Sequence, residues 1–140
     1  MLVAKDFELI EHTADVGIMA YGADVREAFV NAARGMFSLI TELGSIREVE
    51  HRDIEVTASD EGSLLVAWLN ELIYLFDAED MLFSRFEIID FSDTRLKARA
   101  YGEPVDGSRH KLNVGIKAAT YHMLEVNQSD GGRVRVLFDI

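Results

Sequence analysis

Carboxylates stand at two places in the sequence where they can do chemistry. Asp15 lies in the polar segment Glu11–Gly17, which also carries an imidazole, His12, and separates two apolar stretches. Asp139 follows an apolar strand pattern and is the penultimate residue, so its side chain lies close to the terminal carboxylate of Ile140. Carboxylates held close together repel one another unless a cation or hydrogen-bond donors compensate. The pattern therefore predicts an oxygen-rich cation site.

Both places also have a purely structural interpretation. Asp15 can accept hydrogen bonds from backbone amides of its own turn, and Gly17 can supply a positive φ. Chain ends are often frayed and solvated. At this end, however, the apolar Val134, Val136 and Phe138, together with the terminal Ile140, favour a strand docked on the core.

A third segment, 114–122, adds a lysine and a histidine. Lys117 stands in an apolar run, where a cation either reaches out to water or neutralises nearby carboxylates. His122 has no companion at metal-ligand spacing, and the four histidines form no zinc motif. The chain has no cysteine, which excludes thiolate metal sites and a cysteine nucleophile. It also has no glycine-rich phosphate loop and no serine elbow.

The charge balance disfavours direct nucleic-acid binding. Fourteen Lys and Arg against 25 Asp and Glu give a formal net charge of −11, and such a field repels phosphates. A local basic stripe is left open. The longest apolar run, Leu64–Leu69, is far too short to span a bilayer. With no signal-like N-terminus, we expect no membrane association and a cytoplasmic protein.

A small α+β domain must position these residues. The 140 residues fit one domain, 1–140. The first amphipathic helix begins after Asp24, with Glu27 completing a capping box, and ends at Gly44; the second covers about 62–76. Strand patterns cover residues 7–10, 18–21, 54–58, 83–91, 94–101, 116–126 and 134–138. The predicted architecture has two layers, with both helices on one face of a single mixed, mostly antiparallel sheet.

Several of these segments together resemble one family. The segment 11–17, the second-helix segment Trp68–Leu75, the segment 115–122 and the closing residues 138–140 resemble the motifs of the archease family in the same order. The resemblance runs nearly end to end.

The resemblance implies a helper protein and not an enzyme. Archeases assist the tRNA-splicing RNA ligase by promoting its guanylylation and its repeated turnover. The implied metal ligands are Asp15, Asp139 and the terminal Ile140, with His12 and Lys117 as partner-binding residues. Oxygen ligands of this kind suit Ca²⁺, with Mg²⁺ or Mn²⁺ as alternatives. The implied partner is the ligase, without direct tight binding to nucleic acid.

Two other functions stay open at this stage. One is a general chaperone-like modulator of nucleic-acid-processing enzymes. The other is a metal-dependent hydrolase in which Asp15 and Asp139 position a water, although the sequence marks no base or nucleophile for it. Assays with and without the ligase separate the three.

Overall fold

The computed structural model describes residues 5–11 and 15–140. In that part of the chain it has two α-helices, one 3-10 helix at Leu43–Ser45 and eight strands. The helices are α1 (Val25–Ile40) and α2 (Glu61–Glu79). The strands are β1 (Phe7–Glu11), β2 (Asp15–Gly22), β3 (Glu50–Thr57), β4 (Met81–Phe91), β5 (Arg95–Pro104), β6 (Ala118–Ala119), β7 (Glu125–Asn127) and β8 (Gly132–Asp139).

The strands form two separate sheets. The first sheet has the order β1-β2-β8-β6, with β7 also pairing with β8, and the second has the order β3-β5-β4. Every pairing among the described strands is antiparallel. The α+β class is thus confirmed, but the single mixed sheet predicted from the sequence is wrong. Alternation within a strand reports which of its faces is buried and does not say which other strand pairs with it.

Both helices contact strands of both sheets, so they do not cover one face of one sheet. Their buried residues form a single core with the inner faces of the strands. Within that core, Trp68 Nε1 of α2 donates a hydrogen bond to Phe29 O of α1 at 3.0 Å. No helix in the described ranges is long and apolar enough to cross a membrane.

The start of α1 is as predicted, and its end is not. Asp24 caps the helix by accepting a hydrogen bond from Glu27 N at 2.8 Å, and Glu27 accepts one from Ala23 N at 3.1 Å. The helix ends at Ile40, with Thr41 in an extended conformation. The predicted cap at Gly44 is wrong, because the apolar pattern continues into a separate 3-10 helix.

The predicted strand over residues 116–126 is interrupted. Only β6 and β7 pair with β8 there, and a turn over residues 120–124 separates them. The predicted hairpin from β7 to β8 is confirmed. Its turn contains Asp130 at φ 54° and Gly131 at φ 95°, which fits the preference for Asp and Gly where φ is positive.

Candidate functional site

The pairing of β2 with β8 places two carboxylates side by side. Asp15 and Asp139 are direct antiparallel partners at the end of the ladder, and such partners have Cβ atoms about 5 Å apart. Phe138 is fully buried in the core, so strand alternation turns Asp139 and its partner to the opposite side, called here the outer face. Asp139 is exposed and Asp15 is half-buried. The structure thus brings together the two carboxylates that the sequence singled out.

Gly17 brings β2 and β8 close together beside this pair. It faces Leu137 across the ladder. A Cβ at Gly17 would lie 2.4 Å from Leu137 Cδ2 and 2.6 Å from Val136 O. The φ of Gly17 is not positive, so the expected positive φ is wrong. The position requires glycine because a side chain there would collide with β8.

Lys117 lies beside Asp139 through its backbone. The Lys117 N–H donates to Asp139 O at 2.8 Å, and the next residue, Ala118, is the direct partner of Asp139 in the ladder. The lysine side chain is exposed, and it forms no ion pair with any residue in the described ranges. Its exposure favours the role in which the cation reaches out to water.

Two predicted site residues remain, His12 and Ile140. His12 is outside the described residues. Ile140 is 49% exposed and directly follows Asp139. Strand β8 is paired as far as Asp139 on both of its edges, which confirms the expectation of a docked chain end.

The donor set fits a cation only in part. Among residues 5–11 and 15–140, no group of three or more His, Asp or Glu side chains converges on one point. Asp15, Asp139 and the carboxylate of Ile140 are the oxygen donors that could hold a hard cation. Because Ca²⁺ takes six to eight oxygens, water or a partner must supply the rest. The metal site stays a prediction.

Comparison with known proteins assigns the chain to a family. It matches the model of the Archease protein family over residues 7–140. The chain belongs to the archease family. Similar curated relatives carry the name Protein archease. That of Methanothermobacter thermautotrophicus is 40% identical over 140 residues, covering 97% of this chain and 99% of the relative. That of Sulfolobus acidocaldarius is 38% identical over 136 residues, covering 96% and 98%.

Two solved structures are similar to this archease. The solution structure of Methanobacterium thermoautotrophicum protein 1598 matches with a TM-score of 0.82 at 39% identity, covering 96% of this chain and 99% of that one. The crystal structure of a Thermotoga maritima archease, described as a possible chaperone, matches with a TM-score of 0.64 at 22% identity, covering 94% of each chain. At that identity the second likeness supports the fold alone.

An exposed loop lies beside β8 between β6 and β7 in this archease. The turn over residues 120–124 presents Tyr121 and Met123, which are 62% and 47% exposed. Met123 has a positive φ of 55°, an unusual conformation for this residue type. Its carbonyl accepts a hydrogen bond from Arg135 Nε at 2.8 Å, and Leu124 N donates to Tyr121 O at 3.2 Å. The loop is therefore held in a shape that exposes two large apolar side chains.

Sequence reasoning missed one residue that supports the site. Asn70 of α2 accepts a hydrogen bond from Ala119 N in β6 at 2.8 Å. Its signal was present in the sequence, because it is a polar residue between Leu69 and Leu72 in the apolar stripe of the helix. Helix α2 is thus fastened to the strand that flanks Asp139.

A buried ionic cluster around Glu103 was also missed by sequence reasoning, and it does not include the Asp15–Asp139 pair. Glu103 is 5% exposed and pairs with Arg109, while its second oxygen accepts from Arg47 N at 2.7 Å. His110 Nδ1 accepts from Asp106 N at 2.8 Å, so its ring proton lies on Nε2, 3.0 Å from Glu103. Burial alone raises the pKa of Glu103, but the donated hydrogen bonds outweigh it and lower the pKa to about 2. With its partners satisfied, the cluster fastens the loop after β5 and has a structural role.

A cleft of about 750 Å³ opens at the other end of β2. Tyr21, Glu8, Arg133 and Asp130 line it together with other residues of the β7–β8 turn. Tyr21 donates a hydrogen bond to Glu8 at 2.9 Å. Burial raises the pKa of Tyr21, and this hydrogen bond raises it further. The cleft lies away from the Asp15–Asp139 pair and shares no residue with it.

Proposed function

We propose that this archease is a non-catalytic activator of the tRNA-splicing RNA ligase and acts in the cytoplasm. It promotes guanylylation of the ligase and lets the ligase turn over repeatedly. The observation that carries the proposal is the direct pairing of Asp15 with Asp139 in a chain that matches the archease family over residues 7–140. The link to the ligase comes from the motif resemblance.

The acidic pair is the functional end of the molecule in this proposal. Two carboxylates on neighbouring strands repel each other, and a divalent cation bound by Asp15, Asp139 and the carboxylate of Ile140 relieves that repulsion. Ca²⁺ suits irregular oxygen ligands best, with Mg²⁺ or Mn²⁺ as alternatives. In the complex, this end lies against the ligase near its nucleotide site and orients the divalent metals of the ligase.

The surface around the pair supports a protein partner. Tyr121 and Met123 are exposed in a loop of fixed shape, and Ile140 exposes its side chain beside Asp139. Aromatic residues and methionine are enriched at protein interfaces. The exposed Lys117, which lies beside Asp139 through its backbone, contributes a cation to the same end, and His12 belongs to it by the motif resemblance. Apolar anchors next to carboxylates fit a partner surface that is basic and partly apolar.

The distribution of basic residues supports the absence of tight RNA binding. A basic stripe does occur on β5, where Arg95, Lys97 and Arg99 alternate. Two of its members are neutralised across the strand pair by β3. Arg95 bonds Glu55 at 2.9 Å and Arg99 bonds Asp53 at 2.8 Å. Cations that are already paired release few counterions on meeting a phosphate backbone.

Guanylylation of the purified cognate ligase tests the proposal. Wild-type protein added below one equivalent should raise the fraction of ligase that carries GMP, and Asp139→Asn should not. Asp53→Asn is the matched control, because it removes an exposed carboxylate from the outer side of the second sheet. An unchanged guanylylated fraction at every ratio of wild-type protein would refute the proposal.

The same samples separate the other two functions. Release of phosphate or cleavage of RNA by the protein alone would support a metal-dependent hydrolase. Suppression of aggregation of unrelated proteins, equal in the wild type and in Asp139→Asn, would support a general chaperone.

A further inference from the structure

Strand β6 is very short, and its attachment decides how firmly Asp139 is held. It contains two residues and pairs with the last two residues of β8. Two hydrogen bonds flank this pairing. Lys117 N donates to Asp139 O at 2.8 Å, and Thr120 N donates to Leu137 O at 2.9 Å. Beyond residue 120 a turn interrupts the pairing with β8, which resumes only at β7. So short a ladder needs support from its other edge.

A single side chain supplies that support. Ala119 directs its N–H and its C=O away from β8, toward α2. Asn70 Oδ1 accepts from the Ala119 N–H at 2.8 Å, and Asn70 Nδ2 lies 3.5 Å from the Ala119 carbonyl oxygen. A carboxamide carries the same donor and acceptor as a peptide group, so Asn70 takes the place of a neighbouring strand. Ala119 is 5% exposed, and water therefore replaces this partner poorly.

We infer that Asn70 is a positioning residue for Asp139. The end of β8 is held by β2 on one edge and by β6 on the other, and β6 is held by Asn70. Loss of the carboxamide removes the hydrogen bonds between β6 and α2, so that the pairing of β6 with Asp139 is weakened relative to the pairing of Asp15 with Asp139. The consequence for ligase activation rests on the proposed function, whereas the consequence for the order of the strand end does not.

A second asparagine in the same fold offers a matched control. Asn31 of α1 is buried and donates from Nδ2 to Tyr21 O of β2 at 2.7 Å. Like Asn70, it fastens a helix to a strand of the first sheet. It contacts β2 near the end opposite to Asp15. A purely structural role for both asparagines predicts the same consequences for both alanine variants.

Amide hydrogen exchange of the protein alone tests the positioning directly. In Asn70→Ala, the Lys117 amide should exchange about tenfold faster or more, relative to amides of the central strand β5. In Asn31→Ala the ratio of the Lys117 exchange rate to the exchange rates of the β5 amides should match the wild type. A ratio that is unchanged in Asn70→Ala, or raised equally in both variants, would overturn the inference.

Ligase activation provides the second readout. Asn70→Ala should raise the concentration of the protein needed for half-maximal stimulation of the ligase about tenfold. In an Asp139→Asn background the same substitution should have no further effect. Asn31→Ala should leave the half-maximal concentration unchanged. If Lys117 exchanges faster but stimulation is unchanged, the functional part of the inference is wrong. If the wild type does not stimulate the ligase at all, the proposed function fails, and hydrogen exchange still decides the positioning.

Discussion

Replacing Asp139 by asparagine should stabilise the metal-free protein. Asp139 faces Asp15 directly across β2 and β8. Two unit charges about 5 Å apart in a water-like medium repel by roughly 0.8 kcal/mol, within the ~0.2–1 kcal/mol range of cross-strand pairs. The variant removes this repulsion and keeps the shape of the side chain. For a domain of this size, about 3–5 °C per kcal/mol gives a rise in Tm of about 2–4 °C in EDTA.

Calcium should reverse the order of the two Tm values, so that the wild type becomes more stable than Asp139→Asn. A ligand that binds only the folded state at about 100 times its Kd stabilises it by about 2.7 kcal/mol. The wild type should gain most of this stabilisation. Asp139→Asn should gain little, because one of the proposed metal ligands has lost its negative charge. Thermal unfolding by circular dichroism, in EDTA and in a calcium series, measures both effects.

Asp53→Asn is the control for this experiment. Asp53 also stands on an exposed sheet face, but its cross-strand partner is Arg99, with Nε and Oδ1 2.8 Å apart. That variant should lower the Tm in EDTA and respond to calcium as the wild type does. A lower Tm for Asp139→Asn in EDTA would show that Asp15 and Asp139 do not repel each other. An equal calcium shift in all three proteins would show that the two carboxylates do not share a cation.

Four further outcomes are expected. Gly17→Ala should lower the free energy of unfolding in urea by about 2 kcal/mol, because its Cβ would collide with Leu137. Gly107→Ala is the control, because its Cβ would meet nothing within 4 Å and the free energy of unfolding should change little. Equal losses of stability in the two variants would contradict the steric argument. Glu103→Gln should be less stable than the wild type at neutral pH. Because the folded pKa of Glu103 is lowered from 4.5 to about 2, the difference should be complete above pH 4.5 and shrink as the pH falls toward 2 in unfolding titrations; a constant difference would exclude this linkage. Extra residues after Ile140 should weaken calcium binding in calorimetry by moving the terminal carboxylate away, and unchanged affinity would remove that carboxylate from the site. The isolated protein should not shift tRNA in gels at moderate salt, and a tight, salt-sensitive shift would show that the net charge is a poor guide.

Much of the local structure could be predicted from the sequence. The Asp24 cap, the apolar stripe of α2 and the turn at Asp130 and Gly131 depend on residues close together in the chain, and each is as expected. The division into two sheets could not be predicted. It depends on which strands pair at long range, and alternation of apolar residues does not specify that.

The candidate site was predictable in its residues but not in its construction. Asp15 and Asp139 stand out by type and position, and the ladder makes them direct partners. Glycine is required at position 17 because a side chain there would collide with Leu137 of another strand. An asparagine at position 70 matters because its side chain bonds the backbone of Ala119 in β6. The Gly17 contact leaves no pattern in the nearby sequence, and Asn70 stands out there only as a polar residue between Leu69 and Leu72, so the partner of each residue is revealed only by the three-dimensional arrangement.

Multiple-turnover ligation by the cognate RNA ligase tests the proposed role most directly. Wild-type protein, supplied below one equivalent, should raise the number of RNA products formed per ligase molecule. Asp53→Asn should do the same, and Asp139→Asn should not. An unchanged number of products per ligase across a range of wild-type protein ratios would contradict the role as an activator, and equal stimulation by Asp139→Asn would separate that role from the acidic pair.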